Sequence, residues 1–304
     1  MKIGLNGTGL VQRASVEVIV DHASKALDDG FASYWLAEHP TGGFDALTVL
    51  ALVGQSVPSI ELGTAIIPTY PRHPLTLAAQ VLTTRLATGD RFTLGIGLSH
   101  ESMMAQLGIE FSRPVRHLRE YLSILMPLLE RGEVSFTGET LSCHGKLFAT
   151  PVSTCPVVVA ALGEQTLKVA GHRTSGTTLA WVGARTIREH ILPNLTAAAR
   201  AAGRPAPRVI ATLPICVTDD PEPVVALINK LLGSYGDLPS YRAMFQREGV
   251  TQPGELAIVG DEDLVTTRLE ELAEAGVTDF SASEFVTSPD ESLRTRNLLK
   301  RFAR

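Results

Sequence analysis

The stretch ELGTAIIPTYPRHPLTLAAQVLTTRLATGDRFTLGIGLSH, residues 61–100, decides the fold of this 304-residue chain. Residues 60–67 are short, apolar and β-branched, which is typical of a strand buried on both faces. Prolines end that strand, and an apolar stripe that begins at Leu75 predicts a helix that ends at Gly89. Residues 91–97 form the next predicted strand. The stretch therefore predicts a β-α-β unit with small residues at the carboxyl ends of its strands, where parallel-sheet enzymes keep their sites.

The same alternation extends outward along the whole chain. Strands are predicted at residues 2–6, 33–39, 60–67, 91–97, 156–162, 176–181, 208–217 and 278–284, each followed by a helical segment. Eight strands that alternate with eight helices are typical of an α/β protein with a (β/α)8 TIM barrel. The alternative is a doubly wound open sheet, but Gly7-Thr8-Gly9-Leu10-Val11-Gln12 does not complete the G-x-G-x-x-G turn that such a sheet uses.

We therefore predict a single TIM-barrel domain over residues 1–304. Two segments interrupt the alternation of strands and helices, and we predict that they are surface insertions. Residues 133–154 have the pattern of a hairpin, and residues 233–256 have the pattern of an irregular excursion that forms a lid, a subunit contact or a variable surface loop.

The composition excludes several classes of protein. The net charge of −5 with no basic run argues against a nucleic-acid partner. No apolar run of about 18 residues predicts a membrane span, and the amino terminus has the pattern of a strand rather than of a signal peptide. The three cysteines, Cys143, Cys155 and Cys216, lack the spacing of metal ligands. We predict a cytoplasmic protein with reduced thiols, no metal and a small-molecule substrate.

Polar residues follow two of the predicted strands. Glu38 and His39 end the second strand, where buried polar groups are costly unless they are paired or used, and histidine suits proton transfer near neutral pH. His100 and Glu101 follow the fourth strand and are further candidates for acid–base work. The alternative for each is a hydrogen-bonded or solvated side chain without a catalytic role. His73 lies just past the third strand, and the histidines on predicted helices are interpreted as structural: His22, His117, His172 and His190.

Gly163-Glu164-Gln165 opens a helix directly after the fifth strand. Free amide groups at a helix start bind anions without a basic side chain, although a tight turn without a ligand is equally consistent with this pattern. Signatures of a serine nucleophile, a strand-end lysine or paired glycosidase carboxylates are missing. The remaining candidate residues are typical of a protein in which a bound planar cofactor carries out the chemistry.

Taken together, several segments resemble the bacterial-luciferase-like flavin and deazaflavin oxidoreductases. The similar segments are Trp35-Leu36-Ala37-Glu38-His39, Leu62-Gly63-Thr64-Ala65-Ile66, Arg72-His73-Pro74, Leu94-Gly95-Ile96-Gly97, Arg116…Glu120, Phe136-Thr137-Gly138 and Ala161-Leu162-Gly163 with Leu167, Ala170-Gly171 and Gly176. The chain is more similar to the branch that uses coenzyme F420 than to the FMN monooxygenases. One departure is Thr174-Ser175-Gly176, where relatives often have Ala-Asp-Gly.

The resemblance implies a set of roles at the matching positions. It implies a non-prolyl cis peptide between Ala65 and Ile66, with both residues supporting the back of the coenzyme ring. It implies that Gly97 and Leu98 pass along the edge of the ring or its ribityl chain, and that the backbone amides of Gly163 and Glu164 bind the phosphate. His39 matches the active-site histidine of the deazaflavin dehydrogenases, and the partner carboxylate after the fourth strand falls on His100 or Glu101.

The function that the resemblance implies is hydride transfer between coenzyme F420 and a small organic substrate. One alternative is an FMN-dependent luciferase-like monooxygenase, and another is a non-catalytic flavin-binding protein. The family also implies a homodimer.

Overall fold

The computed structural model describes residues 1–11, 14–40, 42–148 and 153–303. The strands within these ranges are β1 (Lys2–Asn6), β2 (Ser33–Leu36), β3 (Glu61–Thr64), β4 (Ile67–Pro68), β5 (Phe92–Gly97), β6 (Glu133–Thr137), β7 (Ser142–Lys146), β8 (Val157–Val159), β9 (Gly176–Ala180), β10 (Arg208–Thr212), β11 (Pro214–Val217), β12 (Ile258–Gly260) and β13 (Asp279–Glu284).

The α-helices are α1 (Thr8–Val11), α2 (Val16–Asp28), α3 (Ala46–Ser56), α4 (Pro74–Thr88), α5 (Glu101–Gln106), α6 (Pro114–Arg131), α7 (Glu164–Arg173), α8 (Ala184–Thr186), α9 (Leu192–Ala201), α10 (Pro221–Leu232), α11 (Pro239–Glu248), α12 (Glu262–Glu274) and α13 (Pro289–Ala303). A π-helical turn spans Ile187–Ile191, and 3₁₀ turns span Gly233–Asp237 and Pro253–Glu255. The Ser15 side chain caps α2, and Gly89 ends α4 in the left-handed region, as predicted.

The main sheet closes into a parallel barrel. Its strand order is β1-β2-β3-β5-β8-β9-β10-β13, and β13 pairs in turn with β1, so the predicted TIM barrel is confirmed. Two predicted strands are interrupted. The third breaks between β3 and β4, both of which pair with β5, and the seventh breaks between β10 and β11.

The amino-terminal end of the barrel is closed by a network of charges. Arg208 opens β10 and forms ion pairs of 2.7 Å with Glu61 on β3 and 2.7 Å with Asp279 on β13. Glu61 also accepts a hydrogen bond of 2.7 Å from the Thr93 hydroxyl on β5. Because these strands lie on different sides of the barrel, the network crosses its interior.

Above this network the interior is packed with apolar side chains. Trp35, Val158 and Ile210 form one buried cluster, and Ala65 packs against it from above. A Cβ at Gly63 would lie 2.0 Å from the Trp35 indole, so the glycine makes room for that ring. The Arg208 guanidinium lies 6.0 Å from the indole centroid and joins the two layers.

The carboxyl-terminal end is lined by small side chains. Successive strand residues face opposite sides, so the next inward-facing position on each strand is two residues beyond the buried layer. These positions hold Asn6, Ala37, Ala65, Gly97, Ala160, Ala180, Thr212 and Ser283, and all except Gly97 are partly exposed. We refer to this ring of residues as the mouth of the barrel.

The first insertion is the hairpin that the sequence predicts. Strands β6 and β7 form a separate antiparallel sheet, and the Glu120 carboxylate on α6 accepts hydrogen bonds from the backbone N–H groups of Glu139, Thr140 and Leu141. Burial alone would raise the pKa of Glu120, but these bonds and one from the Thr140 hydroxyl lower it to about 2. The hairpin turn is therefore attached to α6 by a carboxylate that stays ionised in acid.

The second insertion differs from its prediction. The expectation of an irregular excursion over residues 233–256 is wrong, because the segment contains the ten-residue helix α11 between two 3₁₀ turns. Pro239 at the first turn of α11 and Gly249 in the left-handed region just after it are ordinary helix boundaries. Both prolines of this segment, Pro239 and Pro253, begin helical turns rather than irregular chain.

Candidate active site

The residues that the sequence singles out lie around the mouth. His39 follows β2, Ala65 and Ile66 lie between β3 and β4, and Gly97 ends β5. Gly163 is the N-cap of α7, just beyond β8. The carboxyl ends of parallel strands meet at one edge of a barrel, which is why these separated segments come together.

The peptide bond between Ala65 and Ile66 is cis, as predicted. The Ile66 side chain lies beside the end of β5, since a Cβ at Gly97 would be 3.0 Å from the Ile66 Cδ1 and 3.1 Å from the Ala160 Cβ. Ile66 is partly exposed. A small residue at position 97 thus leaves room for a side chain that faces the mouth.

His39 and His100 are close enough to interact. Burial lowers the pKa of His100, and the neighbouring His39 lowers it further because two imidazolium charges repel each other. His100 is the N-cap residue of α5, whereas Glu101 is exposed in the first turn of that helix. Of the two candidates after the fourth strand, His100 is therefore the one that the structure places beside His39.

Three aromatic rings form a roof near His100. The Tyr241 ring on α11 lies 5.4 Å from the His100 ring, Tyr235 lies 5.6 Å from Tyr241, and Trp181 lies 5.6 Å from Tyr235. Trp181 follows β9 and has a φ of 60°. Burial raises the pKa of both tyrosines, which keeps their hydroxyls neutral. The second insertion thus reaches the mouth, and its lid interpretation agrees with this position.

Helix α11 is attached at its far end by Glu248. One carboxylate oxygen accepts a hydrogen bond of 3.2 Å from the Arg185 N–H, and the other accepts one of 2.8 Å from the Thr186 N–H. These are free amides at the start of a helix, where a carboxylate is favoured. The roof is therefore held at both ends, by its rings and by this cap.

The turn after β8 leaves helix amides without a side-chain cap. Gly163 makes no side-chain cap bond, while the Glu164 carboxylate pairs with Lys168 at 2.6 Å along the helix surface. His190 bonds to the Leu162 carbonyl at 2.8 Å and supports the turn from behind. A glycine and exposed N–H groups at a ten-residue helix suit an anion.

His73 and several other titratable side chains have structural partners outside the mouth. His73 caps α4 by accepting a hydrogen bond of 3.2 Å from the Leu75 N–H. Glu284 on β13 pairs with Arg296 and His22. His117 stacks on Tyr70, and burial lowers its pKa to about 4.

One groove of the protein contains no residue of the mouth. A groove of about 480 Å³ lies between α10 and the second insertion, and it is lined by residues such as Asn229, Arg242 and Phe245. Within the described residues, we find no group of histidine, cysteine and carboxylate side chains that could hold a metal ion. No helix in the same part of the chain is long and apolar enough to cross a membrane.

Sequence reasoning missed two parts of this site. The pairing of Arg72 with Glu38 and Asp45 joins segments 27 and 34 residues apart, and no spacing rule predicts it. The roof was signalled only by the aromatic residues between prolines in the second insertion. Helix α5 was also missed, since its six residues are too few for a periodic pattern.

Comparison with known proteins places these observations in a family. A family model described as luciferase-like monooxygenase matches residues 3–279. An F420-dependent glucose-6-phosphate dehydrogenase of Kineococcus radiotolerans is 27% identical over an alignment of 257 residues, and the match covers 80% of this chain and 75% of that protein. An F420-dependent hydroxymycolic acid dehydrogenase of Mycobacterium tuberculosis is 32% identical over 217 residues, but the match covers 65% of this chain and 59% of that protein.

A solved structure shares the fold over nearly the whole chain. An F420-dependent secondary alcohol dehydrogenase in complex with an F420-acetone adduct has a TM-score of 0.81, with 99% of this chain and 97% of that chain covered. Its sequence identity is 19%, so this likeness establishes the fold alone.

Proposed function

The chain belongs to the luciferase-like monooxygenase family, and we propose that it is an F420-dependent oxidoreductase that transfers a hydride between the deazaflavin and a small organic substrate. The proposal is supported chiefly by His100, which lies close enough to His39 to interact, near a mouth of small residues that the Ile66 side chain faces. The relatives named for F420-dependent dehydrogenases support the choice of coenzyme.

The residues of the mouth fit a flat ring with a phosphate tail. The small side chains at Ala65, Ala160 and Ala180 are partly exposed and lie over a closed layer of larger ones. Ile66 and Gly97 would support the ring, and Leu98 would lie at its edge. The uncapped amides of Gly163 and Glu164 would bind the phosphate.

The bound deazaflavin would supply or accept the hydride, and the protein would supply the proton. We assign that transfer to His39, because it lies just past β2 and near His100, and histidine changes charge near neutral pH. Burial lowers the pKa of His100 and so favours its neutral form, which would donate or accept a hydrogen bond beside His39. Glu101 is the weaker candidate, since its side chain is exposed.

The roof would form the wall on the substrate side. The rings of Tyr235, Tyr241 and Trp181 offer apolar faces and neutral hydroxyls. A closed, mostly apolar chamber would exclude water from the hydride and from the proton on His39. Its walls suit a small uncharged organic molecule.

Two rival functions use the same fold. An FMN-dependent monooxygenase is favoured by the description of the family model. A non-catalytic flavin-binding protein would have no need of the His39 and His100 pair. A homodimer and a cytoplasmic location also stay predictions.

A titration of the purified protein with F420 and, separately, with FMN tests the proposal. We expect saturable quenching of F420 fluorescence with a Kd at least tenfold lower than that for FMN, and reduction of bound F420 by a member of a panel of small alcohols. A higher affinity for FMN, with oxygen consumption on addition of a reductase, would replace the proposal by the monooxygenase. Binding of either coenzyme without any redox change would support the silent binder.

A further inference from the structure

The guanidinium of Arg72 binds two carboxylates that flank His39 along the chain. Arg72, which follows β4, hydrogen-bonds with one nitrogen to Glu38 and with the other to Asp45. Glu38 immediately precedes His39, and Asp45 is the N-cap of α3. Both ends of the connection from β2 to α3 are therefore attached to the same side chain.

The ion pair of Arg72 with Glu38 is largely shielded from water, whereas the Asp45 side chain is 32% exposed. The Arg72 side chain is 17% exposed and the Glu38 side chain is 15% exposed. Burial raises the pKa of Glu38 and outweighs the opposing effect of Arg72. A second Glu38 oxygen is buried without a hydrogen-bond partner among the described residues. Such an arrangement is costly, and it is weak evidence for a role in stability alone.

The backbone of Glu38 also sets the position of the ring support. Its N–H donates a hydrogen bond of 3.0 Å to the Ile66 carbonyl, and the Ala65 N–H donates one of 2.8 Å to the Leu36 carbonyl. The residue before His39 is therefore fixed to the segment that contains the cis bond. A movement of Glu38 would therefore change the position of His39 relative to Ile66.

Arg72 is itself fixed from behind. The Tyr121 hydroxyl on α6 donates a hydrogen bond of 3.0 Å to the Arg72 carbonyl. The Arg72 N–H bonds to the Thr69 carbonyl at 3.3 Å, and the Thr69 N–H bonds to the Gly97 carbonyl at 2.9 Å. The backbone that carries the Arg72 guanidinium is therefore attached to the mouth through Gly97 at the end of β5.

We propose that Arg72 is a positioning residue that holds His39 in register with the coenzyme support at Ile66, by clamping Glu38 and Asp45 at the two ends of the His39 segment. The inference rests on the proposed function for the role of His39. Arginine suits this task because its planar fork bonds two carboxylates at once, whereas the single ammonium of lysine does not reproduce that geometry.

The clamp predicts a loss of rate rather than of coenzyme affinity. In Arg72→Met the two carboxylates lose their common partner and repel each other, so the His39 segment opens. A displacement of about 1 Å at a reacting group can cost on the order of 10²-fold in rate. We expect kcat to fall by about that factor, the F420 Kd to change less than about threefold, and Arg72→Lys to lie between.

The test combines kinetics with an observation on the coenzyme-free protein. Histidine ring signals are recorded by NMR in wild type, Arg72→Met and the exposed control Arg119→Met. We expect the His39 and His100 signals to shift or broaden only in Arg72→Met, while His144 on the hairpin stays unchanged. If the wild type turns over no F420, the proposed function fails, and the NMR comparison still decides whether the clamp exists.

The double variant Glu38→Gln with Arg72→Met separates positioning from stability. It removes one buried charge along with its partner, so thermal stability is expected to recover at least in part. Turnover and the His39 signals should not recover, because the geometry is still lost. Recovery of both, or unchanged His39 signals in a folded Arg72→Met, would make Arg72 a merely structural residue.

Discussion

The two ends of the barrel are built from the same strands with opposite choices of side chain. At the amino-terminal end, Arg208, Glu61 and Asp279 cross the interior and close it. At the carboxyl-terminal end, four residues farther along β10 and β13, the inward positions hold Thr212 and Ser283, which are partly exposed. The difference indicates that stability and proposed function are separated along the barrel axis, and the separation can be tested from both ends.

The largest expected effect is on turnover, from a change at the open end. His39→Ala should lower kcat by about 10²–10⁴-fold, because a positioned acid or base is lost, while F420 affinity and unfolding temperature change little. Steady-state kinetics with F420 and a fluorescence titration measure the two quantities.

The control for this variant is His172→Ala, an exposed histidine on α7. Its turnover should equal that of the wild type. Wild-type turnover in His39→Ala would remove His39 from the mechanism and would leave the open end without its acid–base group.

The next effect is on stability, from a change at the closed end. Arg208→Met leaves the Glu61 and Asp279 carboxylates without their common partner, one of them only 4% exposed. Removing one member of a buried ion pair typically costs about 3–5 kcal/mol. Urea denaturation should detect this loss at an unchanged m-value, and F420 affinity of the folded protein should stay the same.

Arg131→Met, an exposed arginine at the end of α6, is the matched control and should change stability by less than about 0.5 kcal/mol. An equal loss in both variants would contradict the role of the closed end. A large loss of coenzyme affinity in Arg208→Met would contradict the separation of the two ends.

The smallest effect tests the size of the mouth. Ala160 is partly exposed and lies next to Ile66 and Gly97 in space. Ala160→Leu adds bulk where the ring would lie, and overpacking of this kind costs about 1–3 kcal/mol, which corresponds to about a 5–150-fold weaker F420 Kd. Fluorescence titration measures it, with the exposed Ala201→Leu on α9 as the control. Unchanged affinity would show that the ring does not rest on this layer.

The sequence predicted the barrel well because its signals are local. Apolar β-branched runs, apolar stripes and caps such as Ser15 and Gly89 depend on nearest neighbours along the chain. The prediction of a cis bond between Ala65 and Ile66 came instead from the resemblance of longer segments to the family. The second insertion was misread because Pro239 and Pro253 begin helical segments as readily as they interrupt them.

The sequence by itself determined the number of barrel strands, their parallel order and therefore the edge at which Ile66, Gly97, Gly163 and His39 meet. Only the tertiary structure decided which side chains are partners there. His100 rather than Glu101 lies beside His39, Tyr241 covers His100, and Arg72 joins Glu38 to Asp45. The physical reason is that strand and helix periodicity fix the direction of a side chain from its own segment, whereas contacts between loops depend on how separate segments pack.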